Sequence, residues 1–565
     1  MGAPPTLPLP PALAARVAFE RGRELASKGK PEAAVEAYRE AIIQNPDYAE
    51  AHNNLGNLMR DAGRSKEAEH YYRRAVDLRP AYGLAHLNLA CLHHADGRHA
   101  KARAAYKKAI KARPDWAEPH YNLAILDKLA GDHAAAAAGF RRAVQADPTH
   151  GQSWNNMGLA LRRLGRHREA LAAHARAMAA DSGNPRPRFN AGMVHLTLGD
   201  FEAGWPLYEA RMEVDEVVRM AGLRTGPPRW RGEPIAGRTL LVEAEQGLGD
   251  TIQFVRYLPL LKSLPNAKGA SVTLACDRAM LRLLSGFPGT DRLLEKPPAR
   301  RPLPRGHHLT VSLMSLPAIF ETTETAIPAQ TPYLNVQPAL TKQWATRIDG
   351  SGLKVGLVWA GRPQHENDRN RSLALTDLAP LAKIRGVSFY SLQKGPAEIE
   401  LGTPPKGMKI TALGGRFADF ADTAAAIANL DLVITVDTAV AHLAGALGKP
   451  VWNLLSHVPD WRWMLQREDS PWYPTMRLIR QDAPGDWTTV IADVATSLRK
   501  HVSTANSTAS KKTRTAPRPA AKSKSPLKTH AARKPKPKPN QKPKSKPTAK
   551  SRTKATRDSK RRGGK

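Results

Sequence analysis

Cysteine is scarce in this 565-residue chain, which has only Cys91 and Cys276. The two lie far apart in the sequence, so they can build neither a disulfide framework nor a cysteine-rich metal site. No stretch approaches the roughly 18 uninterrupted apolar residues that a membrane-spanning helix needs. The first 23 residues also contain no apolar run of signal-peptide length. We therefore expect a cytoplasmic protein without a membrane span.

Acidic residues are almost absent from the end of the chain. Between Lys511 and Lys565 there are 22 Lys or Arg and one acid, Asp558, so more than half of the net charge of +35 lies there. The segment has hardly any aromatic or branched aliphatic residues, and it cannot bury enough apolar surface to fold. We predict a disordered Lys/Pro/Ala-rich tail over residues 504–565. Such a tail either binds nucleic acid or another polyanion by neutralising phosphates, or only keeps the protein in solution.

A period of 34 residues runs through the first 215 residues of the chain. It contains a small residue at Gly22, Gly56, Ala90, Ala124, Gly158 and Gly192. A turn glycine follows at Gly29, Gly63, Gly97, Gly131, Gly165 and Gly199. A side chain with an aromatic ring follows at Tyr38, Tyr72, Tyr106, Phe140, His174 and Tyr208. The period predicts helical hairpins in which small residues let two helices approach and the rings fill the gap. Proline then ends the second helix at Pro46, Pro80, Pro114 and Pro148, because it lacks an amide hydrogen.

This pattern resembles a tetratricopeptide array of six repeats over residues 15–214. Such hairpins stack into a superhelix with a concave groove. An asparagine recurs in the same register, at Asn54, Asn88, Asn122, Asn156 and Asn190. A row of carboxamides can bind the backbone of an extended peptide without reading its sequence. The alternative is that these side chains only bond neighbouring helices.

The rest of the chain is expected to be α/β. After a linker over residues 215–237, the first lobe is predicted over 238–345, with strands at 239–244, 271–276 and 308–312. Helical patterns follow at 251–264 and 278–284. The second lobe is predicted over 353–500, with strands at 354–359, 387–392, 430–436, 450–455 and 476–479. An α-solenoid followed by two Rossmann-like lobes implies a cleft, with ligands at the carboxyl ends of strands.

A candidate anion site follows the third of these second-lobe strands at residues 436–450, where the strand leads into a helix rich in small residues. Free amides and the helix dipole at such a start suit a pyrophosphate. The segment resembles the donor-binding motif of the heptosyltransferase-like glycosyltransferases (family 9), which have the GT-B fold. The resemblance implies that Asp437, Thr438, Ala439 and His442 hold a nucleotide diphosphate, although the family often has glycine at 439. The alternative is a capped helix in which His442 only packs.

The candidate catalytic residue is in the first lobe. The glycine loop Gly247-Leu248-Gly249-Asp250 follows the first strand and resembles the loop of the same family that carries a catalytic aspartate. The resemblance implies that Asp250 is a general base, which takes the proton of a sugar-accepting hydroxyl. On the fold alone, Asp250 serves equally well as a helix N-cap.

Three further residues are candidates for the donor site. Arg371 occupies about the place where the family has a basic residue near the phosphates, Gln393 is a candidate contact for the base or ribose, and Lys394 one for the phosphate. Each basic residue can equally be surface charge. No Asp-any-Asp pair follows a strand. We therefore expect transfer without a metal or other cofactor, with Arg371, Lys394, His442 and the helix terminus meeting the charge of the leaving group.

The resemblance therefore implies an inverting glycosyltransferase of the hexosyl or heptosyl type that uses a nucleotide-diphosphate sugar. Its architecture is similar to that of the eukaryotic O-linked N-acetylglucosamine transferases, which join such repeats, with an asparagine ladder, to a glycosyltransferase. This implies a protein or peptide acceptor in the groove. Two alternatives stay open: transfer to a glycan or lipid-linked acceptor, with the repeats used for assembly, and a non-catalytic repeat scaffold.

Overall fold

The computed structural model describes residues 9–514, with gaps at 216–217, 219–226, 246, 297–305 and 366. Most of the predicted tail and part of the predicted linker lie outside the described residues. The chain divides into one unit of residues Met1–Ser507 and a second of Thr508–Lys565, and the packing described below is that of the first unit.

Six helical hairpins come first in the chain. Their helices are α1 Pro11–Ser27, α2 Pro31–Gln44, α3 Ala49–Asp61, α4 Ser65–Leu78, α5 Gly83–Ala95, α6 His99–Ala112, α7 Ala117–Leu129, α8 His133–Ala146, α9 Gly151–Arg163, α10 His167–Ala180, α11 Pro185–Thr197 and α12 Phe201–Tyr208. The turn glycine of every hairpin has a φ between 68° and 81°, a conformation that glycine adopts without steric cost. The predicted repeats are confirmed.

The small residues and rings of the period pack as predicted. A Cβ on Gly22 would lie 2.6 Å from the ring of Tyr38, and one on Gly56 would lie 2.7 Å from the ring of Tyr72. The helices α2, α4, α6 and α8 each end two residues before the proline of their repeat. The repeat therefore fixes both the spacing of the paired helices and where the second one ends.

Two parallel sheets follow the repeats. The first has the order β3-β2-β1-β4, with β1 Thr239–Glu243, β2 Ser271–Cys276, β3 Arg292–Glu295 and β4 Leu309–Ser312. The second has the order β10-β9-β8-β5-β6-β7, with β5 Leu353–Val358, β6 Val387–Ser391, β7 Ile410–Ala412, β8 Leu432–Val436, β9 Val451–Leu455 and β10 Met476–Arg480. Their helices are α13 Leu248–Phe254, α14 Leu258–Ser263, α15 Leu316–Ile319, α16 Pro338–Ala345, α17 Asp368–Arg371, α18 Phe420–Ala428, α19 Ala439–Ala446 and α20 Trp487–Arg514.

The eight predicted strands are present, and the structure adds two edge strands. β3 and β7 are short and largely exposed, so they lack the apolar run by which a buried strand is recognised. The helix predicted over 278–284 is wrong, because only a short 3-10 turn forms there, at Arg278–Met280. The helix predicted over 251–264 is interrupted by a 3-10 turn at Val255–Tyr257, after which α14 begins with Pro259 in its first turn.

The order of the strands locates the crevice of each sheet. Successive strands run outward from β1 to β3 and then return to β4 on the other side of β1. In the second sheet they run from β5 to β7 and return to β8 beside β5. Ligands of parallel sheets bind outside the carboxyl ends of the strands at such reversals. The relevant loops are therefore those after β1 and β4, and after β5 and β8.

The last hairpin packs into the core that the two sheets share. Phe201, Trp205 and Tyr208 are each at most 3% exposed and belong to one apolar cluster with Phe254 and Trp461. The rings of Trp205 and Trp461 are 5.4 Å apart, and the Trp205 indole donates a hydrogen bond to the carbonyl of Thr322 at 2.8 Å. The sixth repeat is therefore part of the same hydrophobic core as the α/β region.

One repeat carries a buried histidine at the position of the ring. His174 is fully buried where the other repeats have Tyr or Phe, and within the described part of the chain neither ring nitrogen has a hydrogen-bond partner. Burial lowers the pKa of His174 to about 3. The unfolded chain therefore binds the proton first, and stability that is present above pH about 6.5 is lost as the pH falls toward 3.

We expect His174→Phe to remove this loss of stability in acid, since Phe140 already fills the equivalent place in the preceding repeat. At pH 5 the neutral buried imidazole costs the wild type about 2 kcal/mol relative to pH 8. From pH 8 to pH 5, the thermal midpoint of the wild type should therefore fall by more than that of His174→Phe. His70→Phe, at an exposed histidine of the same array, is the control. A difference between wild type and His174→Phe that does not change with pH would contradict this account.

Candidate active site

Two helix N-termini meet where strands of the two sheets end. α13 follows β1, and α19 follows β8. A Cβ on Gly249 would lie 2.8 Å from His442 Cδ2 and 3.5 Å from Ala439 Cα. Only a residue without a side chain allows this approach. The structure thus brings the predicted Gly247–Asp250 loop of the first sheet against the predicted 437–442 segment of the second.

Asp250 lies in the first turn of α13, with 18% of its side chain exposed. Its Oδ2 accepts a hydrogen bond from the amide of Gly247 at 2.7 Å, and its Oδ1 accepts one from Arg462 Nη2 at 2.5 Å. Gly247, not Asp250, is the N-cap residue, so Asp250 supports the cap from inside the helix. Burial raises the pKa of the Asp250 carboxyl, and Arg462 partly opposes this rise. A raised pKa strengthens a carboxylate as a base.

Arg462, the partner of Asp250, was not predicted from the sequence. Arg462 lies in a 3-10 turn, Trp461–Trp463, after β9, and its side chain is 8% exposed. It also donates to Asp460 Oδ1 and Gln253 Oε1, both at 2.8 Å. An arginine between two tryptophans, Trp461-Arg462-Trp463, is the local pattern that would have pointed to it.

Asp437 and Thr438 lead into α19, which begins at Ala439. Thr438 is the N-cap residue, but its side chain does not cap the helix, and its Oγ1 lies 3.1 Å from Thr435 Oγ1. Burial, above all, and the neighbouring Asp460 raise the pKa of Asp437 to about 6. The nearby indole of Trp463 opposes this rise in pKa, although its N–H lies outside hydrogen-bond geometry.

His442 lies one turn into α19 and is 5% exposed. Its Nδ1 is 3.0 Å from the hydroxyl of Tyr473, and its ring lies 5.1 Å from that of Trp463. Burial, with a contribution from Arg462, lowers the pKa of His442 to about 3. The imidazole is therefore neutral at pH 7 and adds no positive charge of its own to the start of α19.

Arg371 lies beside the start of α19. Its Nη1 donates to the carbonyl of Asp437 at 2.9 Å, and its Nε pairs with Asp368 at 3.2 Å. Arg371 and Arg462 thus both lie near the start of α19. Positive charge at this helix terminus comes from these two guanidinium groups.

Gln393 and Lys394, the candidates for base, ribose and phosphate contacts, follow β6 and are bonded to backbone groups. Gln393 is 2% exposed, and its amide exchanges hydrogen bonds with the backbone of Trp359 and Ala360 at 3.0 to 3.1 Å. The Lys394 ammonium donates to the carbonyl of Phe417 at 2.7 Å. Both side chains are bound to neighbouring backbone. These bonds hold neighbouring loops together.

The five recurring asparagines differ in burial. Asn88 donates to Asn53 at 2.9 Å and Asn190 donates to Asn155 at 2.9 Å, so these two buried residues bond one repeat to the repeat before it. The other three members are partly exposed: Asn54, Asn122 and Asn156. These three also donate to the preceding repeat, but through longer bonds, to Tyr38, Cys91 and Tyr121 respectively. Helix-to-helix bonding, the alternative interpretation, is thus seen at all five positions, and partial exposure distinguishes Asn54, Asn122 and Asn156.

A buried ion pair joins the end of the repeats to the glycine loop. Arg211 follows α12, and its guanidinium donates to both oxygens of Glu245 at 2.8 and 3.0 Å. The side chains of both residues are fully buried. Arg211 also donates to Ser315, which lies in the turn after β4. The repeats therefore contact both loops at the reversal of the first sheet.

The part of the chain that the structure describes has neither a cluster of metal-ligating side chains nor a helix suited to span a membrane. No group of three or more His, Cys, Asp or Glu side chains is placed there to hold a metal ion. None of the helices in the described ranges is long and apolar enough to cross a membrane.

A helical-repeat array is joined to two parallel α/β sheets, and two helix N-termini and two arginines meet between the sheets. Tetratricopeptide repeat profiles match residues 19–82, 56–117 and 140–172. The profile of glycosyltransferase family 9 (heptosyltransferase) matches residues 389–471, a range that contains α19, Asp460 and Arg462. These matches support, at the general level, a glycosyltransferase with tetratricopeptide repeats.

One curated protein is similar to this chain over more than half of its length. Protein FlbA of Caulobacter vibrioides is 30% identical over 333 residues, which are 55% of this chain and 54% of that protein. The chain therefore spans about half the length of this relative. Among solved structures, that of MamA is 22% identical with a TM-score of 0.27, covering 28% of this chain and 94% of that one. YrrB, a TPR protein with an unusual peptide-binding site, is 20% identical with a TM-score of 0.30, covering 32% and 94%.

We expect Gly249→Ala to destabilise the protein, because its Cβ would overlap His442 and force α13 and α19 apart. Overpacking of this kind costs about 1–3 kcal/mol. Thermal unfolding should show a lower midpoint, and calorimetry with a panel of nucleoside diphosphates should show weaker binding. Gly402→Ala is the matched control, since a Cβ there meets nothing within 4 Å. Unchanged stability and binding in Gly249→Ala would show that the two helices do not depend on this contact.

Proposed function

We propose that this protein is a glycosyltransferase that uses a nucleotide-diphosphate sugar, with Asp250 as the general base. One observation carries the proposal: the contact of Gly249 with His442 and Ala439 brings a carboxylate of the first sheet to the N-terminus of α19 in the second. Both elements follow strands at the reversal of their sheets, where ligands of parallel sheets bind. The family 9 match over residues 389–471 supports the same reaction class.

The donor is proposed to bind with its diphosphate at the start of α19. The amides of Ala439 and Val440, the positive end of the helix dipole, and the guanidinium groups of Arg371 and Arg462 supply the positive potential. Asp437 and Thr438 shape this turn, and the neutral His442 packs beneath it. The proposed transfer needs neither a metal ion nor another cofactor, because these groups stabilise the leaving diphosphate.

The acceptor step is proposed to be a direct displacement. The acceptor hydroxyl oxygen attacks the anomeric carbon, Asp250 takes the hydroxyl proton, and the bonding electrons of the broken C–O bond stay on the diphosphate. Attack from the face opposite the leaving group inverts the anomeric centre. The raised pKa of Asp250 favours proton uptake by the carboxylate.

We propose a protein or peptide as the acceptor, bound in the groove of the repeats near Asn54, Asn122 and Asn156. Tetratricopeptide repeats are a common protein-interaction module, and these three side chains are partly exposed. The second candidate is a glycan or lipid-linked acceptor, with the repeats used only for assembly. It is favoured by the burial of Asn88 and Asn190, which bond repeat to repeat. A polyanion bound to the basic tail falls outside the described residues and stays a prediction.

Asp250→Asn tests the assignment of the base. Asparagine has nearly the same size and can still accept the hydrogen bond of the Gly247 amide, but it has no basicity. Transfer should fall by roughly 10²–10⁴-fold, while nucleoside diphosphate affinity stays within a few-fold. His442→Ala should instead weaken donor binding, because it removes the ring packed under α19. Initial rates and calorimetry, with a donor first identified by a thermal-shift screen of nucleotide sugars, measure both effects.

Asp277→Asn is the matched control for this pair, since Asp277 also supports a helical turn through a backbone amide but is exposed and follows β2 instead of β1. Near-normal turnover of Asp250→Asn, in a protein that demonstrably transfers sugar, would mean that the base is another residue. A wild-type protein that binds no nucleotide sugar would favour the non-catalytic scaffold.

The two candidate acceptors are separated by the asparagines. We expect the triple variant Asn54→Ala, Asn122→Ala and Asn156→Ala to reduce glycosylation of a protein acceptor, with donor hydrolysis unchanged, because these side chains are partly exposed in the groove. The double variant Asn88→Ala and Asn190→Ala is the comparison, and it should mainly lower thermal stability, since each loses a buried hydrogen bond worth about 1 kcal/mol. Full protein glycosylation by the triple variant would favour the second candidate.

A further inference from the structure

Arg462 connects the two lobes across the cleft. It lies in the turn after β9 of the second sheet, yet its Nη2 is 2.5 Å from Asp250 Oδ1 of the first sheet. Its Nε donates to Gln253 Oε1 at 2.8 Å, and Gln253 is on the same helix, α13, as Asp250. Two of the nitrogens of one guanidinium thus contact the helix that carries the proposed base.

Arg462 is itself held firmly in place. Its third nitrogen, Nη1, donates to Asp460 Oδ1 at 2.8 Å. The guanidinium lies over the ring of Trp461 at 4.3 Å and over that of Phe254 at 5.6 Å. A planar group with donors on three sides and aromatic faces above it has little rotational freedom. A buried arginine in this setting can impose a fixed geometry on its carboxylate partner.

We propose that Arg462 is a positioning residue for the transfer reaction: from across the cleft, it holds Oδ1 of Asp250 so that the carboxylate is oriented to receive the acceptor proton. This inference rests on the proposed function. The other oxygen, Oδ2, is held by the amide of Gly247 at 2.7 Å. The two contacts fix the plane of the carboxylate. Asp460 acts one step further away, by anchoring Arg462.

The charges around Asp250 give this arrangement a measurable signature. Arg462 is the cation that favours the ionised form of Asp250, whereas Asp460 and Glu245 oppose it. Tyr208 of the last repeat also faces the pair, and His442 of α19 lies against the neighbouring Gly249 and is neutral at pH 7. Removal of Arg462 leaves the carboxylate buried among acids. The pKa of Asp250 must then rise, because an arginine partner lowers a carboxyl pKa by about 1–3 units.

The first experiment is the pH profile of kcat/KM for the acceptor. The wild type should lose activity on the acidic side as Asp250 becomes protonated. In Arg462→Gln that acidic limb should move to a higher pH by about one unit or more. Activity should also fall on the order of 10²-fold, because the Asp250 carboxylate is no longer held in its orientation. Arg462→Lys keeps the charge without the planar fork, so it should keep the limb near its wild-type position but still lose rate. Arg467→Gln removes a nearby ion-paired arginine of the same segment and should leave the limb in place.

The second measurement does not use activity. A double-mutant cycle of Asp250→Asn and Arg462→Gln, followed by thermal unfolding at pH 8 and pH 5, reports the coupling of the two side chains. Arg462→Gln alone should be destabilised more at pH 8 than at pH 5, because the unpartnered Asp250 must ionise while buried. Adding Asp250→Asn should recover part of that loss at pH 8.

The outcomes distinguish this inference from the function on which it rests. An acidic limb that stays in place in Arg462→Gln, in a protein whose transfer depends on Asp250, overturns the role of Arg462 and leaves the proposed function standing. Additive effects in the cycle overturn it as well. A wild type without transfer, or one whose transfer survives Asp250→Asn, overturns the proposed base and the role of Arg462 together.

Discussion

The candidate site depends on the close approach of two helix N-termini at Gly249. α13 and α19 belong to different sheets, and they meet because residue 249 has no side chain: a Cβ there would lie 2.8 Å from His442. This contact puts the first turn of α13, with Asp250, beside the first turn of α19. A carboxylate and a helix terminus suited to an anion then share one cleft. The proposed division of work, with one lobe activating the acceptor and the other binding the donor, requires this distance to be short.

Buried charge is the second constraint on the site, since burying an ion without a partner is costly. Each of these buried charges has an ion-pair partner. Arg462 serves both Asp250 and Asp460, and Arg211 serves Glu245. Removing one member of such a pair leaves its partner buried and charged, so substitutions here are expected to alter the pKa of the partner as well as stability. His442 meets the same constraint in another way, because it stays neutral.

The repeats are joined to this site through a common core. Trp205 of the sixth repeat packs on Trp461, which lies next to Arg462, and Arg211 after that repeat pairs with Glu245 before the glycine loop. An acceptor bound in the groove would thus be held at a fixed place relative to the cleft. This geometry is the reason to consider the array as part of the proposed enzyme.

Much of the fold follows from local patterns in the sequence. Periods of 34 residues set the hairpins and their glycine turns, and apolar runs set eight strands, because these elements are stabilised by residues close together in the chain. The exposed edge strands β3 and β7 carried no such run. The sequence also indicated the two loops, 247–250 and 437–442, that the structure brings together. Only the tertiary structure decided the hydrogen-bond partners of the site residues. Arg462 contacts Asp250, which lies 212 positions earlier in the chain. Gln393 and Lys394 bond to backbone groups, and Asn88 bonds to the preceding repeat. A side chain bonds to the groups that the folded chain places within about 3 Å of it. Local sequence patterns do not show which distant residues come that close.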